Sequence, residues 1–140
     1  KDHRHFLYRE YLRIIAKYQP NVFVMENVKG ILSSKVDGEL IFHKIIEDLA
    51  NPSGDNGIKG YKYKICSLSG GHVFQHGDPV EDINPKNFLI TSENYGIPQK
   101  RHRVIVIGIR EDYEGNLSNL VPEGDKVNCE EAIKDFEESC

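Results

Sequence analysis

The chain has 140 residues, 39% hydrophobic and 29% charged, which are the proportions of a globular domain rather than of a collagen-like, disordered or disulfide-scaffold protein. No apolar run approaches the roughly 18 residues that a membrane-spanning helix needs, so we expect no membrane association. Charge is divided unevenly, because residues 1–110 hold 16 Lys and Arg against 12 Asp and Glu, whereas residues 111–140 hold 2 against 10.

Apolar residues at helical spacing begin near the first residue and predict an amphipathic helix. Its expected buried face consists of Leu7, Tyr11, Ile14 and Tyr18. Asp2 is a candidate N-cap, and the helix should end before Pro20, whose ring and missing N–H do not fit a helix interior. The unbroken apolar run 22–25 then predicts a strand that is buried on both faces of a parallel sheet.

A second helix is predicted after Asp37, a candidate N-cap, because the following apolar residues form one stripe. The stripe consists of Ile41, Phe42, Ile45, Ile46 and Leu49. Residues 52–60, rich in Pro and Gly, should end this helix. Alternation over residues 61–66 predicts a strand near a sheet edge, with one drier and one wetter face.

The last elements are a Gly-, Pro- and Asp-rich loop over 69–86 and two strands, 88–90 and 104–109. The segment 94–103 between these strands is too short for a helical crossover, so we expect the pair to be antiparallel. Gly96 and Pro98 should fix the shape of that segment, since Gly permits a turn that other residues resist and Pro presets φ. The element order predicts an α/β fold.

Polar residues at two places are candidates for function. Glu26 directly follows four apolar residues, and a carboxylate there is costly unless it is paired or used, although it could also cap a turn. Asn27 could contact a ligand, but Asn after a strand more often orients a loop. Lys100, Arg101 and Arg103 place three cations within four residues, which suits phosphate contacts and also occurs in solvated surface clusters.

Other candidate sites are weaker, and we expect neither a metal ion nor a phosphate-cradling loop. The potential metal ligands are Cys66, His72, His76 and Asp78. Their spacing in a Gly-rich loop does not make them converge on one point. Neither 54–57 nor 70–71 matches a nucleotide-binding glycine motif. None of the three cysteines, Cys66, Cys129 and Cys140, has the surroundings of a catalytic nucleophile.

Two segments resemble motifs of the DNA (cytosine-5) methyltransferase family. Residues 23–30, Phe-Val-Met-Glu-Asn-Val-Lys-Gly, are similar to its Glu-Asn-Val segment. Residues 94–103, Asn-Tyr-Gly-Ile-Pro-Gln-Lys-Arg-His-Arg, are similar to its Tyr-Gly-x-Pro-Gln followed by Gln-Arg-Arg-x-Arg. Flanking stretches 7–15 and 127–136 also resemble the family, whereas 69–86 looks like an insertion.

The resemblance implies part of a Rossmann-like methyltransferase fold that uses S-adenosylmethionine, namely the C-terminal half of a mixed sheet whose last strand pair is antiparallel. Residues 1–110 would belong to the catalytic domain, and 111–140 would form an acidic connection toward the target-recognition region. The implied reaction transfers a methyl group to C5 of a cytosine flipped out of DNA, in a restriction-modification system. The expected location is the bacterial cytoplasm or nucleoid.

The resemblance also implies residue roles. Glu26 would share a proton with cytosine N3 and accept a hydrogen bond from N4, and Arg103 would stabilise negative charge on O2, so these two are the expected catalytic residues. The expected DNA-contacting residues are Asn27, Gln99, Lys100 and Arg101.

The sequence contains neither the family's Pro-Cys-Gln nucleophile segment nor its Phe-x-Gly-x-Gly cofactor loop. We therefore expect a middle section of a catalytic domain that is inactive alone, with the cofactor bound mainly by the remainder of the methyltransferase chain. Three alternatives stay open. They are a cytosine-5 methyltransferase acting on tRNA, a catalytically dead nucleic-acid-binding subunit, and an unrelated α/β domain in which Glu26 only caps a turn.

Overall fold

The computed structural model describes residues 3–54, 59–70, 72–115, 117–122, 124, 133 and 134. Helix α1 spans His3–Tyr18 and α2 spans Ile41–Ala50. The strands are β1 Val22–Val28, β2 Lys35–Val36, β3 Glu39–Leu40, β4 Tyr63–Cys66, β5 Val73–Phe74, β6 Leu89–Thr91 and β7 His102–Arg110. The candidate cap Asp2, the cysteines Cys129 and Cys140, and most of 127–136 lie outside the described residues.

The main sheet has the order β1-β7-β4-β5, and β6 pairs with β7 in line with β4. Both β1 and β4 are antiparallel to β7, so they run in the same direction on either side of it. The antiparallel pairing expected for the last two strands is confirmed, with Leu89 opposite Val104 and Thr91 opposite His102. The expectation that β1 lies in a parallel sheet is wrong within the described residues, where its partner is the antiparallel β7.

One face of the main sheet carries both helices and the hydrophobic core. Phe23 and Met25 of β1, together with Val104 and Val106 of β7, are buried on this face with the α2 stripe. That stripe was expected, and its residues are buried or half-buried here. Because side chains of a strand alternate between faces, the neighbouring residues of β1 point to the other side. Val22, Val24 and Val28 are about half exposed, so β1 is not buried on both faces.

The buried face of α1 differs from the expected one by about one position. Ile15 is buried and Tyr8 is half-buried, whereas Leu7 and Tyr18 are both 68% exposed. Tyr11 belongs to the expected face and is half-buried, and its hydroxyl donates to the carbonyl oxygen of Val24 at 2.8 Å. The hydroxyl of Tyr8 lies 3.3 Å from the carbonyl oxygen of Ile45 in α2. Tyr8, which was not part of the expected face, therefore lies toward α2, whereas Leu7 is exposed.

Asp37 does not cap α2, and this expectation is wrong. It forms the turn of a small hairpin in which β2 pairs with β3, and the φ angles of Asp37 and Gly38 are 52° and 87°. Asp-Gly is a favoured pair for a two-residue hairpin turn, since both positions need positive φ. The helix begins only at Ile41, after the hairpin has ended.

The expected loop over 69–86 contains regular structure. Within it, β5 pairs with β4 and covers the edge that β4 would otherwise present, so β4 lies one strand in from the edge. Short 3-10 turns follow at Val80–Asp82 and Pro85–Phe88, and the side chain of Phe88 is buried against Phe42. No helix among the described residues is long and apolar enough to cross a membrane.

The other face of the main sheet carries no helix within the described part of the chain. Cys66, Ile107 and Ile109 form a small buried cluster there. Burial raises the pKa of the Cys66 thiol, as expected for an unreactive cysteine. We refer to this side of the sheet as the open face.

Candidate functional site

Glu26 and Arg103 meet on the open face, at the carboxyl end of β1. In the β1–β7 register, Val28 lies opposite Arg103 and Glu26 lies opposite Ile105. Glu26 and Arg103 are therefore diagonal neighbours whose side chains share one face. Nε of Arg103 lies 2.8 Å from Oε1 of Glu26. Two residues that are far apart in sequence thus form one ion pair.

This ion pair leaves hydrogen-bonding capacity facing solvent. The side chain of Glu26 is 52% exposed and that of Arg103 is 31% exposed. Nη1 of Arg103 donates to the carbonyl oxygen of His102 at 2.9 Å. Among the described residues, neither Nη2 of Arg103 nor Oε2 of Glu26 has a hydrogen-bond partner. The site therefore offers a donor and an acceptor, side by side, to a ligand.

Apolar side chains surround the pair. Ile105 lies opposite Glu26 in the register, and Ile90 of β6 lies opposite Arg103 on its other side. Both isoleucines are half-buried, and Val24 and Val28 are exposed to 57% and 52%. The ion pair therefore lies on a partly exposed apolar surface of the sheet.

The segment between β6 and β7 carries the other expected site residues. Gln99, Lys100 and Arg101 are exposed. Gly96 adopts a φ of 72°, which confirms that this segment needs a turn that glycine permits. Arg101 is two residues before Arg103, so the exposed cations begin next to the Glu26–Arg103 pair. The charge and position of these residues suit contact with an anionic polymer.

Asn27 makes a local contact. Its Oδ1 accepts a hydrogen bond from the backbone N–H of Val28 at 2.8 Å. The alternation of β1 places its side chain on the face opposite that of Glu26. These contacts support the loop-orienting interpretation of Asn27 over direct contact with a ligand at the Glu26–Arg103 pair.

The candidate metal ligands are dispersed. His72 and Asp78 line a cavity of about 210 Å³ beside Phe74, whereas Cys66 belongs to the apolar cluster of the open face. Within the described ranges, no group of three His, Cys, Asp or Glu side chains could hold a metal ion.

Two features of the site were not found from the sequence. Ser92 is buried and its hydroxyl contacts the backbone at both Gln99 and Arg101. Glu93 and His102 form a pair, with Oε1 of Glu93 lying 2.8 Å from Nε2 of His102. A serine between a strand and a turn is common and carries little signal. Its partners become visible only when the two ends of the segment are known to meet.

Comparison with known proteins gives matches over nearly the whole chain. Residues 1–73 and 80–139 match the family described as C-5 cytosine-specific DNA methylase. Type II methyltransferase M.BspRI of Lysinibacillus sphaericus is 32% identical over 145 residues, which cover 96% of this chain and 26% of that protein.

Two further relatives show the same pattern. Type II methyltransferase M.DdeI of Desulfomicrobium norvegicum is 30% identical over 97% of this chain and 27% of its own length. DNA (cytosine-5-)-methyltransferase M.ApeKI of Aeropyrum pernix is 34% identical over 78% of this chain and 21% of its own length. The chain thus spans about a quarter of the length of the curated relatives that it matches.

Proposed function

The chain belongs to the C-5 cytosine-specific DNA methylase family, and we propose that the protein containing it methylates C5 of cytosine in DNA as part of a restriction-modification system. Family membership implies the α/β fold of methyltransferases that use S-adenosylmethionine, and the mixed order of helices and strands agrees with it. The observation that carries the proposal is the 2.8 Å contact between Glu26 and Arg103 on the open face.

The proposed role of Glu26 follows from its free oxygen. Cytosine presents N3 and the exocyclic N4 amine along one edge, so a protonated carboxyl group could donate to N3 while its other oxygen accepts from N4. Attack on C6 raises electron density at N3, and a positioned acid that supplies a proton there lowers the barrier. Oε2 of Glu26, which lacks a partner among the described residues, is available to N3, and Oε1 beside Arg103 keeps a second lone pair that can accept from N4.

Arg103 would act beside Glu26 on the same edge of the ring, where O2 lies next to N3. Its Nη2 can donate to cytosine O2, where negative charge develops during the addition, as an oxyanion-hole donor does. The contacts of Arg103 with Glu26 and with the carbonyl oxygen of His102 hold the guanidinium before the base arrives. A donor that is already oriented needs little reorganisation during the reaction.

The exposed cations would hold the DNA. Lys100 and Arg101 can contact phosphate oxygens, and Gln99 can donate to the backbone or to a base edge. The target cytosine must leave the duplex to reach the Glu26–Arg103 pair, because C5 and C6 cannot be attacked inside a base stack.

The described residues do not fit S-adenosylmethionine as its main site. The start of α2 follows the β2–β3 hairpin, and no glycine-rich turn at a helix N-terminus occurs within the described ranges. The cofactor supplies the methyl group when bound, and we assign its binding, together with the thiolate that attacks C6, to parts of the protein outside this chain. We expect the isolated chain to be inactive for that reason.

The test uses the full-length protein that contains this chain. It is incubated with S-adenosylmethionine labelled in the methyl group and with either duplex DNA or tRNA, and the product is digested to nucleosides. We expect label in 5-methylcytosine from DNA and none when every target cytosine already carries a 5-methyl group. Label in tRNA alone would replace the proposal with the tRNA activity. DNA binding without any methylation would instead favour a catalytically dead subunit.

A further inference from the structure

A buried hydroxyl closes the segment that carries the exposed cations. Oγ of Ser92 lies 2.7 Å from the carbonyl oxygen of Gln99 and 2.9 Å from that of Arg101, so its one proton can be shared between them. The same oxygen accepts a hydrogen bond from the backbone N–H of Arg101 at 3.0 Å. The backbone N–H of Ser92 also donates to the carbonyl oxygen of Arg101 at 3.1 Å. Ser92 therefore contacts both backbone polar groups of Arg101.

This arrangement occurs where the strand pairing ends. Thr91 opposite His102 is the final pair of the β6–β7 ladder, and Ser92 and Arg101 are the next residues on either side. Beyond them, the chain runs through a 3-10 turn at Ser92–Tyr95 and the left-handed residue Gly96. Regular hydrogen bonding between β6 and β7 stops at this turn, and the Ser92 hydroxyl provides further hydrogen bonds between the two ends of the segment. It fixes the backbone on both sides of Lys100.

A second cross-link lies directly beside the first. Nε2 of His102 lies 2.8 Å from Oε1 of Glu93, whose side chain is only 17% exposed. Glu93 follows Ser92 and His102 follows Arg101, so consecutive residues join the same two ends of the segment. Gln99, Lys100 and Arg101 are exposed residues of a segment whose two ends are held by these cross-links.

We propose that Ser92 is a positioning residue, whose hydroxyl holds the Arg101 backbone so that the Arg101 side chain meets a DNA phosphate while Arg103 stays beside Glu26. The inference rests on the proposed function, because it assigns Ser92 to the DNA-binding step of that reaction. Without the hydroxyl, the backbone N–H of Arg101 loses its hydrogen-bond partner, and the segment can adopt several conformations instead of one. A cation in several positions contributes less to binding.

The experiment compares three single variants and one double variant of the full-length protein. Ser92→Ala removes the hydroxyl, and Arg101→Ala removes the cation. Ser67→Ala is the matched control, because Ser67 is also buried and its hydroxyl also donates to a backbone carbonyl, that of Asn87, in another segment. The measurements are the dissociation constant for DNA as a function of salt, kcat and KM for DNA, and the thermal midpoint.

We expect Ser92→Ala to weaken DNA binding by about three- to tenfold and to raise KM for DNA more than it lowers kcat. Arg101→Ala should weaken binding and reduce the salt slope by about one, and adding Ser92→Ala to it should cause little further loss, because both changes act on one contact. Ser67→Ala should lower the thermal midpoint by a similar amount to Ser92→Ala and leave DNA binding unchanged.

Additive losses in the double variant, or binding by Ser92→Ala equal to that of Ser67→Ala, would overturn the inference while the methylation result still supports the proposed function. Unchanged DNA binding by Arg101→Ala would also overturn the inference, since there would then be no phosphate contact for Ser92 to position. Absence of DNA binding and methylation by the unsubstituted protein would instead refute the proposed function.

Discussion

The two ends of β7 each carry an arginine paired with a carboxylate, and the pairs differ in how many contacts they use. At the far end, Nε and Nη2 of Arg110 contact the two oxygens of Asp112 at 2.6 and 3.2 Å. Nη1 of Arg110 donates to the carbonyl oxygen of Gln19, and the guanidinium lies 4.4 Å from the ring centre of Tyr61. Arg110 therefore contacts a partner through each of its three nitrogens and through one face.

Arg103, at the near end, keeps one nitrogen without a hydrogen-bond partner among the described residues. Its pair with Glu26 is formed through Nε alone, whereas Arg110 binds both oxygens of Asp112. The hydrogen bond from Arg110 holds the pKa of the Asp112 carboxyl below its ordinary value. An arginine whose three nitrogens all contact protein groups is held in the fold, and one with a nitrogen left over can bind something else.

Substitution of the two carboxylates should separate these roles most sharply. Glu26→Gln keeps the size of the side chain but cannot supply a proton to N3, so we expect kcat of the full-length protein to fall by roughly 10²–10⁴-fold. Affinity for target DNA should change much less. Asp112→Asn is the control and should leave kcat at its original value. Single-turnover methylation with saturating DNA measures both, and a near-original rate for Glu26→Gln would return Glu26 to a structural role.

Substituting the two arginines should show the same contrast, with a smaller effect on the rate than substituting the carboxylates. Arg103→Ala removes the donor to O2, and we expect the chemical step to slow by about 10²–10³-fold, the cost of one oxyanion-hole donor. Arg110→Ala should leave that step unchanged and lower the melting temperature, because it removes the contacts to Gln19, Tyr61 and Asp112. Rates and thermal melts of the two variants distinguish these outcomes. Loss of activity in properly folded Arg110→Ala would contradict the assignment of Arg110 to a purely structural role.

Arg101 should affect binding without affecting chemistry. If it contacts one phosphate, Arg101→Ala weakens binding to target and non-target DNA equally and reduces the salt slope by about one. Arg13→Ala is a matched control, since Arg13 is also an exposed arginine but lies on α1, where it pairs with Glu10. Binding isotherms at several salt concentrations make the measurement. Weaker binding to target DNA alone would indicate that Arg101 reads a base.

The smallest expected effect is on the free energy of unfolding at high pH, and it concerns the end of β7 that carries Arg110. Tyr63 donates to the carbonyl oxygen of Pro20 at 2.7 Å, and burial raises its pKa to about 12. Between pH 10 and 12 the phenol ionises in the unfolded chain but stays protonated in the folded one, so the free energy of unfolding falls as pH rises.

Tyr63→Phe removes both the hydrogen bond and this titration. We expect a loss of about 1 kcal/mol at neutral pH and a shallower decline between pH 10 and 12, measured by denaturant unfolding. Tyr113→Phe, at an exposed position, should match the unsubstituted protein at every pH. A decline in Tyr63→Phe as steep as in the original protein would assign the alkaline sensitivity to other groups.

Features of the fold that depend on neighbouring residues were predictable from the sequence. The α2 stripe follows from helical spacing, and the β6–β7 pairing follows from the short connection between two apolar runs. The left-handed residue at Gly96 follows from the same local chemistry. At Asp37, by contrast, two local rules competed, and the Asp-Gly hairpin turn prevailed over the helix cap.

Features that depend on distant partners were not predictable in this way. The neighbour of β1 is about eighty residues away in the chain, with Val22 opposite Ile109, and no periodicity within β1 reveals it. The contact of Tyr8 in α1 with Ile45 in α2 likewise joins residues 37 positions apart, which helical spacing within α1 does not reveal. The proximity of Glu26 and Arg103 was expected only because the family resemblance brought two separate motifs together.

The length of β7 has a consequence for how its gene can change. Arg103 and Arg110 are seven positions apart, an odd number, so the pleat directs them to opposite sides of the sheet. Inserting or deleting one codon between them would make the separation even and turn one arginine toward the wrong side. Only changes of an even number of codons would preserve both orientations, and those would shift one end of the strand along its neighbours. The interval between the two arginines is therefore constrained in parity, whereas surface loops tolerate insertions and deletions.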